Sequence, residues 1–116
     1  MAYIQIDKVG LKGIAVCVPK TSEETTSLSF FSNEESQKFI MVTGVKRRRI
    51  SNSETCTSDL CYHAAKNLLK DLRWATDDVD CINFVTQTFD YILPATSCIL
   101  QHRLGLKQDV LALDIS

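Results

Sequence analysis

Apolar and polar positions along the chain follow several distinct rhythms. Residues 3–18, YIQIDKVGLKGIAVCV, read as strand material interrupted near Gly10 and Gly13, and close into an unbroken apolar run from Ile14 to Val18 that Pro19 ends. Such a run predicts a strand covered on both faces, as in parallel sheets. From Lys20 to Ser27 the letters turn polar and predict a loop or a short, weak helix. Asn33 suits an N-cap, Glu34 and Glu35 complement the helix dipole, and Gly44 suits a C-cap. A helix is expected between them, with Phe39, Ile40 and Val42 turned inward. The clearest periodicity spans 57–73, where Leu60, Cys61, Ala64, Ala65, Leu68, Leu69 and Leu72 form one wide stripe behind a Thr57 cap. Cys81–Val85 has the pattern of a short buried strand after an Asp-rich turn, and TFDYIL reads as a loop of large side chains. Pro94 suits the first position of a helix from about Ala95 to Leu104, stopped at Gly105. Asp109–Ile115, DVLALDI, predicts a further strand.

Strands separated by helices imply right-handed crossovers, hence an α/β fold with three mainly parallel strands and covering helices. The 116 residues, 45% hydrophobic and 23% charged, have ordinary globular composition and room for one core, so residues 1–116 are expected to form part of one domain. A net charge of −1 gives no field that would recruit nucleic acid or an anionic membrane. No apolar run approaches the roughly 20 residues of a membrane span. The opening MAYIQIDKVG has no basic region followed by an apolar stretch, so a cytoplasmic protein is expected.

The cysteines (Cys17, Cys56, Cys61, Cys81, Cys98) are odd in number and lack C-x-x-C spacing. They are expected to be buried, reduced thiols rather than disulfides or metal ligands, and no metal or cofactor is expected. Cys61 and His63 point apart on a helix, whereas Cys98 and His102 can share a face. Nothing supplies that pair with an orienting group or an oxyanion hole, so packing is the favoured reading of both histidines. Trp74 reads as a core-edge plug, and Phe89 and Tyr91 as interface or core residues.

Three segments resemble successive motifs of the β-ketoacyl-acyl carrier protein synthase III family, in order and at matching intervals. They are TGVKRRRI (Thr43–Ile50), FVTQTFDYILPATSCILQHRLGL (Phe84–Leu106) and ALDIS (Ala112–Ser116). The resemblance covers most of the chain after residue 34 and is most specific in the strand-loop-proline-helix block. It implies a partial thiolase-like fold, contributing the first three strands of the first half of an enzyme. It also implies a full-length parent that performs acyl transfer and decarboxylative Claisen condensation in fatty acid or related biosynthesis. The implied partners are an acyl carrier protein and an acyl thioester, carried by coenzyme A or by the carrier protein. In the family the catalytic Cys follows the ALDIS-like strand, with His and Asn later. The resemblance therefore implies that none of the three lies within residues 1–116, that no catalytic residue is assignable here, and that the chain alone is inactive.

The same resemblance singles out binding residues. Leu93 occupies the position at which the family sends a side chain, often Phe, across a dimer interface into the partner's acyl pocket; the other reading is that it caps its own core. Thr86 and Gln87, at the carboxyl end of a strand, either line that pocket or terminate the strand. Arg47 and Arg49, in the basic run from Lys46, are candidate contacts to a phosphopantetheine or coenzyme A phosphate, against a solvated loop or ion pairs with acids. Acetyl-primed members often carry Trp and Arg where this chain has Lys38 and Val42, so a longer acyl donor or a carrier-bound donor is expected. A homodimer is expected through the edge strand Asp109–Ile115. The alternative to the enzyme reading is a non-catalytic small α/β binding or dimerisation module.

Overall fold

The computed structural model describes residue 3 and residues 5–116. In chain order the elements are β1 (Thr21–Glu24), a 3-10 turn (Thr25–Ser27), α1 (Asn33–Thr43), β2 (Arg47–Ile50), α2 (Thr57–Leu72), a second 3-10 turn (Thr76–Asp78), β3 (Cys81–Val85), α3 (Thr96–Leu104) and β4 (Leu111–Ile115). β3 and β4 pair in parallel, with Cys81 opposite Leu111 and Val85 opposite Ile115. Helix α3 provides the crossover between them and packs against both strands and α2. Phe84, Leu100 and Val110 are buried at the centre of this unit.

The α/β character and the parallel pair match the sequence expectation, but the set of strands does not. Among the described residues, 14–18 pair with no strand. The segment is extended, with Gly13, Ala15, Cys17 and Pro19 half-buried and the intervening residues exposed. A Cβ at Gly13 would lie 2.9 Å from Leu68 Cδ1 and 3.2 Å from Leu72 Cδ2. Small residues thus let the inward row lie directly on α2. The outward row, Ile14, Val16 and Val18, has nothing over it and is 75%, 76% and 53% exposed. A run with two apolar faces is therefore covered on one.

A second sheet stands where a loop was expected. β1 and β2 pair antiparallel, with Glu23 opposite Arg48 and Glu24 opposite Arg47. Arg47 Nε lies 2.7 Å from Glu24 Oε1, and Arg48 Nη2 lies 3.0 Å from Glu23 Oε2. Cross-strand opposite charges favour such a pair by some tenths of a kcal/mol each. Thr25 completes the join: its hydroxyl donates to the Val45 carbonyl at 2.7 Å and its N–H to the Lys46 carbonyl at 2.9 Å.

α1 and α2 start one residue earlier than their sequence caps suggest, and α3 starts later than expected, at Thr96. Ser32, not Asn33, caps α1, accepting from the Glu35 N–H while Glu35 Oε2 accepts from the Ser32 N–H. Cys56, not Thr57, stands at the N-cap of α2, its N–H donating to Asp59 Oδ2 at 3.0 Å. Ala95 precedes α3, leaving Pro94 outside the helix. α1 turns only Ser36 fully inward, and Val42 is exposed rather than buried. On α2 the expected stripe is half-buried throughout, with its polar positions outside. Gly44 and Gly105 close α1 and α3 at positive φ, as expected of them.

The molecule is open. A compact monomer of this mass exposes about 6,300 Å², whereas this one exposes 9458 Å². Its radius of gyration is 18.3 Å, against about 13 Å for a compact domain of this length. Roughly 3,000 Å² more is exposed than in a compact monomer of this mass. Adding a side chain at Gly13 tests how the extended segment docks. Gly13→Val should lower stability by about 1–3 kcal/mol through overpacking against Leu68 and Leu72. Gly10→Val, at a site with no neighbour within 4 Å, should leave the urea midpoint nearly unchanged. Equal losses in both variants would count against the docking.

Candidate functional site

A cleft of about 160 Å³ opens at the carboxyl ends of β3 and β4, lined by Thr86, Phe89, Tyr91, Ile92, Asp114, Ile115 and Ser116. Its floor is set by backbone pairing, since the Thr86 N–H continues the sheet by donating to the Ile115 carbonyl at 3.0 Å. Its wall is the 86–93 loop, and hydroxyls hold that loop. Thr86 Oγ1 accepts from the Thr88 N–H at 3.0 Å, and the Thr57 and Thr88 hydroxyls meet at 2.8 Å. The buried Ser58 hydroxyl donates to Asp90 Oδ2. The first turn of α2 thereby anchors the wall in two places.

Asp114 joins the other side. Its two carboxylate oxygens accept from the Thr96 N–H at 2.7 Å and the Ser97 N–H at 2.8 Å. A side chain from β4 thus satisfies the orphan amides at the start of α3, where the helix dipole favours negative charge. Burial is the largest influence on this carboxyl and pushes it up, but the hydrogen bonds from Ser97 and Thr96 outweigh it and hold the group below the ordinary aspartate range. Asp59 is lowered first by the Cys56 N–H bond, against burial, with help from Arg103. Arg103 Nη2 lies 2.8 Å from Asp59 Oδ1, and its guanidinium sits 4.6 Å from the Tyr62 ring centroid, tying α3 to α2.

Of the residues singled out from the sequence, Thr86 lines the cleft, Gln87 is exposed beside it, and Leu93 stands 82% exposed at the end of the loop. Leu93 does not cap a core. Arg47 and Arg49 lie on the other sheet and are not brought to this cleft; Arg49 Nη1 donates to the Lys20 carbonyl at 2.8 Å. Among the described residues no His/Cys/Asp/Glu group could hold a metal. The cysteines are free, but Cys56, Cys81 and Cys98 are exposed rather than buried. His63, His102 and Trp74 are exposed too, so none packs as expected. Among its lining residues the cleft has neither thiol nor imidazole. Ser58, Asp90 and Asp114 were not anticipated. The signal for Asp114 was present, since a lone acid in the apolar run LALDI requires a partner.

No family model matches the chain. The β-ketoacyl-[acyl-carrier-protein] synthase III of Desulfitobacterium hafniense (strain Y51) is 35% identical over 100 residues, which is 86% of this chain and 30% of that protein. A solved 3-oxoacyl-(acyl-carrier protein) synthase from Burkholderia xenovorans LB400 superposes with a TM-score of 0.79 at 38% identity, over 88% of this chain and 30% of that one. The chain is related to β-ketoacyl-[acyl-carrier-protein] synthase III. It spans about a third of the length of the synthase III relatives it matches. The fold is the partial thiolase-like one; Xanthomonas campestris OleA, at 20% identity and a TM-score of 0.73 over 89% of this chain and 32% of that one, shares it. No described helix is long and apolar enough to cross a membrane.

Removing the carboxylate that joins β4 to α3 should be visible directly. Asp114→Asn should cost about 1 kcal/mol, the usual loss when a helix cap is weakened. Because Asp59 and Asp114 are held below the ordinary aspartate range, their contribution is present above that range. It is lost as pH falls through the lower folded values. Urea midpoints measured from pH 7 down to pH 3 should fall at the acid end, and less steeply in Asp114→Asn. Identical acid profiles would remove Asp114 from the cap.

Proposed function

We propose that the chain is the N-terminal part of a synthase III-like condensing enzyme of fatty acid or related acyl biosynthesis, and that residues 1–116 are inactive alone. The observation that carries this reading is the 35% identity to synthase III over 86% of the chain, combined with a cleft whose lining has neither thiol nor imidazole. The uncovered surface speaks against a self-standing module.

In the proposed parent, a cysteine thiolate takes the acyl group from a thioester of coenzyme A or acyl carrier protein, expelling the carrier thiol. A malonyl-carrier then loses carbon dioxide, and its carbanion attacks the acyl-enzyme carbonyl, releasing the thiolate. Neutral His and Asn donors would stabilise the developing oxyanion. None of these groups is assigned within this chain, whose part is to shape the acyl pocket. Thr86 contributes to the cleft wall; the exposure of Gln87 beside it and of Leu93 at the end of the same loop supports roles at the pocket rim and at a second subunit. Leucine fills less volume than the phenylalanine common in the family, which favours longer acyl groups. Arg47 and Arg49 stand as phosphate contacts only if a ligand displaces their present partners. The strand region Asp109–Ile115 pairs with its twin in a cytoplasmic homodimer; the exposure of Leu111 and Ile115 supports an association surface there.

The test uses the chain alone and the chain continued by its own downstream sequence. The 116-residue chain should give no condensation product from acyl thioester and malonyl-carrier, and the continued protein should give one. In the continued protein, Leu93→Phe should shift kcat/KM toward shorter primers by about 10-fold or more, the scale of a methylene-sized change in an apolar pocket. Turnover by the short chain would sink the inactivity, and an unaltered primer preference would sink the role of Leu93.

A further inference from the structure

The extended segment and α2 are in register at both ends of their contact. At one end Gly13 lies against Leu68 and Leu72. At the other, Pro19 and Leu60 line one cavity. Between these points the inward row of the segment carries Ala15 and Cys17, and the stripe of α2 carries Cys61, Ala64 and Ala65. From Gly13 to Cys17 an extended chain advances roughly 13 Å, and from Leu68 back to Cys61 a helix advances roughly 10 Å. Both cysteines are half-buried and free, Cys17 on the row that meets α2 and Cys61 on the stripe of α2, where it also lines a cavity with β3 and α3.

We propose that Cys17 and Cys61 are a modification site: an oxidisable pair that closes to a disulfide and staples the extended segment to α2. The oxidant is a small-molecule disulfide such as oxidised glutathione. One cysteine thiolate attacks a glutathione sulfur and expels glutathione thiolate, leaving a mixed disulfide. The second cysteine attacks the protein-side sulfur and expels the other glutathione. The protein loses two protons and two electrons, and the oxidant takes them up and leaves as two thiols. Burial first, then the negative charges of Asp90 and Cys17, push the Cys61 thiol up, which lowers its thiolate fraction. Closure would hold the row Ile14, Val16 and Val18 outward as a fixed ribbon, and a reductant would release it.

The 116-residue chain is treated with oxidised glutathione in native buffer and in concentrated urea, alkylated, digested and mapped by mass spectrometry. In native buffer the Cys17–Cys61 peptide should dominate all cysteine pairs, and dithiothreitol should remove it. In urea it should fall toward its share as one of the ten pairs that five cysteines allow. Cys17→Ser should abolish it without enriching another Cys61 pair. The proposal is overturned if native and urea distributions coincide. It is equally overturned if Cys17 and Cys61 end as separate glutathione adducts in native buffer.

Discussion

A single carboxylate decides how the parallel half of the molecule closes. Asp114 sits on β4, directly opposite Phe84 in the register, and its oxygens take the first free amides of α3. The crossover helix is thus fastened to the strand that follows it, and the start of α3 cannot drift from the end of the sheet. Were that carboxylate left without amides, its desolvation would work against the fold; with them, burial makes the interaction stronger. The cleft at the strand ends inherits its geometry from this fastening. So does the 86–93 loop, pinned between β3 and the first turn of α2 by Thr57 and Ser58.

Local periodicity made much of this legible in the sequence. β3 runs over Cys81–Val85 as read, α2 presents the stripe from Leu60 to Leu72, and Gly44 and Gly105 end their helices. Features that depend on distant partners were not legible. β1 is spelled TSEE, which has no strand propensity of its own, and it exists because RRR lies opposite two glutamates. The caps show the same limit: Ser32 is favoured over Asn33 by the reciprocal bond with Glu35. Ile14–Val18 misled in the opposite direction, because an apolar run reports what a segment can bury rather than what is present to cover it. Of the site, Thr86 came from its place at the carboxyl end of a strand and Leu93 from a family likeness, whereas Asp114 needed only the question of where a lone acid in an apolar strand finds its donors.

The excess surface gives these partial contacts a common cause. Few apolar side chains are fully buried among the described residues, and large ones such as Ile92 and Val85 stand open to solvent. The open sheet face carries Leu111, Leu113 and Ile115 beside Val85. An apolar sheet face ordinarily lies under helices. A local architecture of thiolase-like form, with its layers incomplete, accounts for both the good superposition on larger synthases and the thin core.

The contact between Gly13 and Leu68 also has a temporal side. These residues are 55 positions apart in the chain, so at ordinary rates of synthesis the helix emerges roughly 3–11 s after the segment that rests on it. For that interval the inward row of Gly13, Ala15 and Cys17 has no helix to lie on. The nascent ribbon therefore waits uncovered well before the cleft at the strand ends can exist, because that cleft needs β4, the last strand of the chain.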